Sequence, residues 1–378
     1  MNLESTAEQL ALRDTVRRFV AEKAGVAAYV RKMLDNTTGT TDEVWRGLAA
    51  LGATAVLVPP ECDGAGMTMV EAGIVAEELG AALYPGPWLS SAVAATRALT
   101  RMGGGSAAAA LLTGISDGST IATVGALTGR RPEVIERSDG VVLRGQISSL
   151  PDAAAADVGL VLADDADGTG LFAVDTSSSG VELTPRDDVD RTRRLFSVML
   201  DDVPAHRLAS APPDAVQALV DDVIVACAAD ALGAARAVMN LAVEYAKVRT
   251  QFGQPIGSFQ AVQHLCVDMY ETVELARSGV MHALWAADAA EPAERHLAAI
   301  RTKAFAARLA TVGDIAIQVL GGIGFTWEHD AHLYLRRLLG WSALFGGSDQ
   351  YLKEVGVRLA QSVVRRDPQA GEFHVSER

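Results

Sequence analysis

The sequence predicts an α+β fold in three parts: an N-terminal helical domain, a small antiparallel β domain and a C-terminal helical bundle. Three observations carry this expectation. Apolar residues recur at helical spacing before about residue 112 and again after 213, while the stretch between alternates short β-branched runs with Asp, Gly, Ser and Pro turns. Breakers stand at both seams, Gly103 to Ser106 at the first and Pro212 and Pro213 at the second. A chain of 378 residues is also long enough for two or three domains with their own cores.

Within residues 1–112, Leu10, Leu12, Val16 and Val20 step at roughly helical intervals, and Met69 to Gly80 reads as a further helix stopped by Tyr84, Pro85, Gly86 and Pro87. Residues 113–212 supply strand candidates at Thr120–Val124, Gly140–Leu143, Val158–Leu162 and Leu195–Leu200. From 213 to 366, Phe259, Val262, Cys266, Met269 and Val273 step by three and four, as do Phe305, Leu309, Val312, Ala316 and Val319. Two such stripes need each other's cover, hence a bundle. Residues 367–378 form a polar tail.

Forty-seven acidic against thirty-three basic residues give a formal charge of -14, which repels nucleic acid and anionic membrane surfaces. Cys62, Cys227 and Cys266 are odd in number and widely spaced, which suggests neither a disulfide framework nor a zinc site. The first twenty residues are charged and lack an apolar signal core, and no later stretch reads as a membrane span. The expectation is a cytoplasmic protein.

Four motifs are candidates for chemistry. In Arg249-Thr-Gln-Phe-Gly-Gln-Pro-Ile-Gly-Ser-Phe-Gln260, the glycines and the proline break the helix, Arg249 closes one helix and Gln260 opens the next, with Ser258 expected as N-cap. The arginine either completes the helix end or offers a rigid fork of donors to a phosphate. Gln318-Val-Leu-Gly-Gly-Ile-Gly324 is either a helix stop or a place where a phosphate or another backbone approaches closely. Trp327-Glu-His-Asp-Ala-His332 has metal-like spacing but no second ligand pair, so no metal is expected. Asp221 and Asp222 interrupt an apolar helix, either as solvated acids or as a carboxylate facing a cavity with its proton affinity raised by burial.

Taken together, the domain order and the two bundle motifs, R-T-Q-F-G-Q-P-I-x-x-F-Q and Q-V-L-G-G-I-G-F, resemble the acyl-CoA dehydrogenase family over nearly the whole chain. The resemblance implies FAD as cofactor, an acyl-CoA thioester as substrate, and an electron-transfer flavoprotein as acceptor. It also implies a homotetramer, or a heterotetramer with a paralogous subunit. Carried over by position, Arg249, Gln251, Phe252, Gln260, Gln318, Gly321 and Gly322 would grip the pyrophosphate and adenine end of FAD across a subunit boundary, and Ser348 and Gln350 would add polar contacts.

The resemblance breaks at the family's catalytic base. The usual Tyr-Glu-Gly-Thr run reads Phe345-Gly-Gly-Ser348, so Phe345 and Gly346 stand where the glutamate belongs. Some members carry the base about seven turns before the arginine, and an ungapped count lands on Val223. Its neighbour Asp222 is the candidate base in this chain, rotated by about 100° and one methylene short. In the β domain, Ala126–Gly129 and Gly145–Pro151 depart from the family's flavin-ring loop and strand. Two versions follow, a self-sufficient homomer or a partner subunit that lends its diphosphate grip to a catalytic paralogue. A flavin-free helical assembly protein of the same fold is the rival.

Overall fold

The computed structural model describes residues 4–138 and 140–366; the polar tail expected over 367–378 lies outside them. The N-terminal part holds α1 (Ala7–Lys23), α2 (Arg31–Met33), α3 (Asp42–Ala50), α4 (Met69–Ala81), α5 (Thr96–Met102) and α6 (Ser106–Asp117). Local chemistry sets the starts. Thr6 with Gln9 and Thr68 with Glu71 form capping boxes that satisfy the open N–H groups of α1 and α4.

Seven strands follow: β1 (Ala122–Gly125), β2 (Glu133–Arg137), β3 (Gly140–Pro151), β4 (Val158–Asp165), β5 (Gly168–Asp175), β6 (Val181–Pro185) and β7 (Leu195–Ser210). They form one sheet in the order β1-β4-β2-β3-β7-β5, which a further β4–β5 pairing closes on itself, with β6 on the side of β7. Pairing is mostly antiparallel, as expected. The exceptions are β1 and β2, both parallel to β4. A tight hairpin cannot join parallel neighbours, and here the β2–β3 excursion supplies the long crossover from β1 to β4.

The bundle begins with α7 (Pro213–Val248), a helix of 36 residues. A two-residue hairpin of β8 (Thr250–Gln251) and β9 (Gln254–Pro255) leads to α8 (Gln260–Ala289), α9 (Pro292–Ala304), α10 (Ala306–Leu320), α11 (Ala331–Ala343) and α12 (Ser348–Arg366). α7 is the axis, packed on α4, α8, α9, α10 and α11. It crosses α4 at backbone contact: a Cβ on Gly233 would lie 1.9 Å from the Glu77 carbonyl oxygen, and one on Gly80 2.0 Å from that of Asp230. One run, Pro292–Phe325, is long and apolar enough to cross a membrane by length and composition. Here it is broken at Phe305 and packed against α7, α8 and α11.

Two apolar cores meet along α7. Val216 and Leu219 belong to the core shared with the β domain, while Ile224 onward belongs to the core of the two helical regions. Asp221 and Asp222 stand at that seam. A second junction is polar: Arg337 of α11, 2% exposed, pairs with Asp190 and Asp230, and donates to Thr192 and to the carbonyls of Leu83 and Tyr84. It ties the β6–β7 connection to α7 and to the end of α4.

Candidate functional site

The Arg249 turn is built by its backbone. Arg249 leaves the helix in an extended conformation, its N–H donating to the Tyr245 carbonyl at 2.8 Å. Phe252 (φ 53°) and Gly253 (φ 82°) then make the hairpin tip, the left-handed pair that two-residue hairpins need. Ser258 is not the N-cap. Phe259 takes that place, while the Ser258 hydroxyl donates to the Pro255 carbonyl at 2.7 Å, because the intervening residues close a 3₁₀ turn first.

What this turn presents is a set of exposed donors, of which only the Gln251 amide has a partner among the described residues, the Thr250 carbonyl at 2.9 Å. The Arg249 guanidinium is exposed and meets no acceptor among the described residues, so the helix end is completed by its main chain and its side chain is free. Gln251 and Gln260 are exposed beside it, and Phe252 is 91% exposed with its ring edge-on to Phe259 at 6.1 Å.

The Gln318–Gly324 turn sits at the end of α10, against α11. Gly321 stops the helix with φ 66° and ψ -146°, outside the usual left-handed cap and in a region open essentially to glycine, its N–H returned to the Gln318 and Ile317 carbonyls. Gly322 is different. Its φ is not positive, and no heavy atom lies within 4 Å of where its Cβ would stand, so nothing in the chain itself requires a glycine. A group approaching from outside would. Gln318 is exposed beside it, as are Phe325 and Trp327.

The candidate base is engaged elsewhere. Asp222 is fully buried, and its two oxygens accept from Arg101 at 2.9 and 3.0 Å, with Arg97 at 3.6 Å. Arg101 also donates to the Ala287 carbonyl at 2.7 Å, and Arg97 pairs with Asp288 at 2.5 Å. Burial pushes the Asp222 carboxyl upward, against the pull of both arginines. Its geometry is that of a strut joining α5, α7 and α8. It is not brought together with the Arg249 turn or the glycine turn.

The other base position offers no carboxylate either. Phe345 (φ 56°) and Gly346 (φ 104°) form a left-handed turn between α11 and α12, and a Cβ at Gly346 would lie 2.8 Å from Gln350 Oε1. Ser348 is buried, its hydroxyl accepting the Ala307 N–H at 3.1 Å, whereas Gln350 is exposed. In the metal-like run, His329 Nδ1 accepts the Ala331 N–H at 3.1 Å and His332 packs edge-on to Trp327 at 4.6 Å.

Residues 6–119 match the family described as the N-terminal domain of acyl-CoA dehydrogenase, and residues 223–360 the one described as its C-terminal domain. The chain belongs to the acyl-CoA dehydrogenase family. It is 37% identical to "Acyl-CoA dehydrogenase FadE34" of Mycobacterium tuberculosis over 96% of this chain and 49% of that protein. This chain therefore spans about half the length of that relative. It is 33% identical to "Acyl-CoA dehydrogenase IpdE2" of the same organism, covering 92% of this chain and 96% of that one. Solved structures are similar as well, among them two at 25% identity or more. A single-residue variant of the "Tcur3481-Tcur3483 steroid ACAD" is 28% identical, with a TM-score of 0.85 over 94% of this chain and 99% of that chain. The ChsE4-ChsE5 complex from Mycobacterium tuberculosis is 25% identical, with a TM-score of 0.86 over 95% and 99%.

As an acyl-CoA dehydrogenase-family chain it also holds polar groups that sequence reasoning missed. His296 of α9 bridges Asp221 of α7 at 2.8 Å and Glu354 of α12 at 3.1 Å. Lys303, also on α9, is fully buried against α11. Their positions carry only the helical period as a signal; the partners come from elements too distant in sequence to be read from spacing.

Proposed function

We propose that this chain is the cofactor-gripping subunit of a heteromeric, FAD-dependent acyl-CoA dehydrogenase acting on the α,β bond of an acyl-CoA thioester. One contrast carries the reading. Arg249, Gln260 and Gln318 are open and without an internal partner among the described residues, while both base positions are closed, Asp222 by two arginines and Gly346 by a backbone shape that disfavours a glutamate.

The residues present fit the outer half of FAD. Arg249 supplies a guanidinium fork suited to two phosphate oxygens, and Gln251, Gln260 and Gln318 supply amide donors. The open space over Gly322 admits a phosphate to the backbone, and the exposed Phe252 ring offers an apolar face. When bound, FAD supplies the two-electron acceptor for α,β-dehydrogenation, with an electron-transfer flavoprotein as the next carrier. This chain's residues bind and orient; the carboxylate that takes the α-proton belongs to a paralogous partner.

The surface around the grip suits a partner. Val248, Phe252, Val267, Tyr270 and Leu275 are large, apolar and more than half exposed, from the end of α7 along α8, a density of apolar side chains that marks subunit contact. Asp268 and Glu271 lie exposed on the same helix, so a partner with basic residues opposite is favoured over an identical acidic copy. Two of the solved relatives carry two subunit names, which supports a paralogue. The acyl group is fatty or sterol-derived in this reading, the latter on the strength of the steroid enzyme among those relatives.

The deciding experiment is purification of the chain alone and with its paralogue, recording flavin absorbance before and after a panel of acyl-CoAs. The expected result is flavin that acyl-CoA bleaches only when both subunits are present. Bleaching by the lone chain would establish the homomer instead. Failure to hold flavin in either form would leave the flavin-free assembly protein.

A further inference from the structure

Lys303 is a buried cation with no carboxylate beside it among the described residues. Its ammonium donates to the carbonyls of Trp341 at 2.5 Å and Ser342 at 3.1 Å, and lies 4.3 Å from the centre of the Trp341 ring. Burial pushes its pKa down to about 8, with the Cys227 thiol of α7 as the titratable neighbour. Such a group is disfavoured in a core unless its position does something.

The two carbonyls it takes belong to the last turn of α11, where a helix leaves acceptors short of partners; among the described residues the Trp341 carbonyl otherwise has only a shared, 3.3 Å bond from the Leu344 N–H. Beyond them lies the Leu344–Gly347 turn, with Phe345 at φ 56° and Gly346 at φ 104°. That turn is held at two more points. The Tyr351 hydroxyl donates to the Phe345 carbonyl at 2.8 Å, and the Ala307 N–H donates to Ser348 Oγ at 3.1 Å. Lys303 and Ala307 flank the break at Phe305 between α9 and α10, so one short piece of chain grips both ends of the turn.

We propose that Lys303 is a positioning residue for the cofactor site, fixing the end of α11 and so the turn that sets where Ser348 and Gln350 stand. The inference rests on the reading that Gln350, exposed just after the turn, faces FAD, whereas Ser348 is buried with its hydroxyl on the Ala307 N–H. A lysine suits the task because one head reaches two carbonyls at once, and methionine, of similar length, has no donor to offer either.

The test is Lys303→Met in the full chain. Replacing a lone buried charge by an apolar group leaves the global unfolding midpoint unchanged or raised. Hydrogen-exchange protection at the Leu344 and Gly346 amides, which donate to the Gly340 and Ala343 carbonyls at 3.0 and 3.1 Å, should nevertheless fall on the order of tenfold, the loss of a charge-assisted hydrogen bond, with the rest of the bundle unaltered. With the paralogue present, FAD should dissociate more readily from the variant than from wild type. A lowered midpoint with protection lost uniformly would make Lys303 merely structural, and unchanged protection at the turn would overturn the clamp. Wild type that takes up no FAD would sink the reading of the site, whereas equal FAD affinity in both proteins would overturn the positioning role alone. Tyr351→Phe gives a second handle on the same amides: local loosening supports the clamp even if Lys303→Met does not fold, and intact protection opposes it.

Discussion

Asp222→Asn distinguishes a strut from a base. The substitution keeps the shape of the side chain and removes the charge that Arg97 and Arg101 share. Breaking a fully buried pair on one side costs about 3–5 kcal/mol. Here the arginine side chains are 13% and 21% exposed, Arg97 keeps Asp288, and Arg101 keeps the Ala287 carbonyl. The expected loss is therefore about 2–3 kcal/mol. Urea unfolding followed by circular dichroism reads it as a lower midpoint at unchanged slope. Arg101→Met should be at least as damaging, because it leaves a carboxylate with 0% exposure short of its main partner, and the double change Arg101→Met with Asp222→Leu should recover most of the loss. An unchanged midpoint in Asp222→Asn, together with loss of acyl-CoA-dependent flavin reduction by the assembled enzyme, would refute this reasoning and restore Asp222 as the base.

Gly233→Ala should destabilise by about 3 kcal/mol, since the new methyl meets the Glu77 carbonyl at 1.9 Å and backbone must move; a wild-type thermal midpoint would contradict the close crossing of α4 and α7. His296 titrates above its ordinary 6.5 because Asp221 holds the protonated ring, so its stabilisation is full below about 6.5 and fades as pH rises through the raised value. Glu354, held below its ordinary value by Arg358 and His296 against its own partial burial, contributes from the opposite side and loses its share in acid. His296→Gln should remove the alkaline fall in the pH profile of the unfolding midpoint, and a profile of unchanged shape would count against the bridge. Arg249→Glu should weaken FAD retention by the assembled enzyme by about ten- to a hundredfold without moving the midpoint of the isolated chain, because the guanidinium has no internal partner among the described residues; a shifted midpoint would reveal a structural role.

The fold was legible where one period governs a long segment. The stripe from Phe259 to Val273 lies in α8 and its N-cap, and that from Phe305 to Val319 lies in α10 and the break before it. Gly253 and Gly321 were legible for a related reason, since a hairpin tip and a helix stop each ask for a positive φ that glycine adopts freely. Parallel pairing of β1 with β4 was not, because the strands are joined through a hairpin that belongs to neither. Nor was the clamp on the Leu344–Gly347 turn, whose three holding groups come from α9, α10 and α12.

Asp221 and Asp222 show most clearly where sequence reasoning stops. Side by side in the sequence they read as a pair, and a pair of acids suggests either a solvated helix start or a catalytic carboxylate. On a helix, neighbours point about 100° apart. Asp222 turns toward Arg97 and Arg101 of the N-terminal region, and Asp221 toward His296 and, through it, α12. Each acid therefore answers to a different packing partner, at the point where α7 passes from the core it shares with the β domain into the core of the bundle. A seam between two apolar cores is where a helix can carry charge inward at least cost, provided each neighbouring element brings a cation. That condition is met here by Arg97, Arg101 and His296, which stand in two different domains far apart in the chain, and so it could be found only in three dimensions.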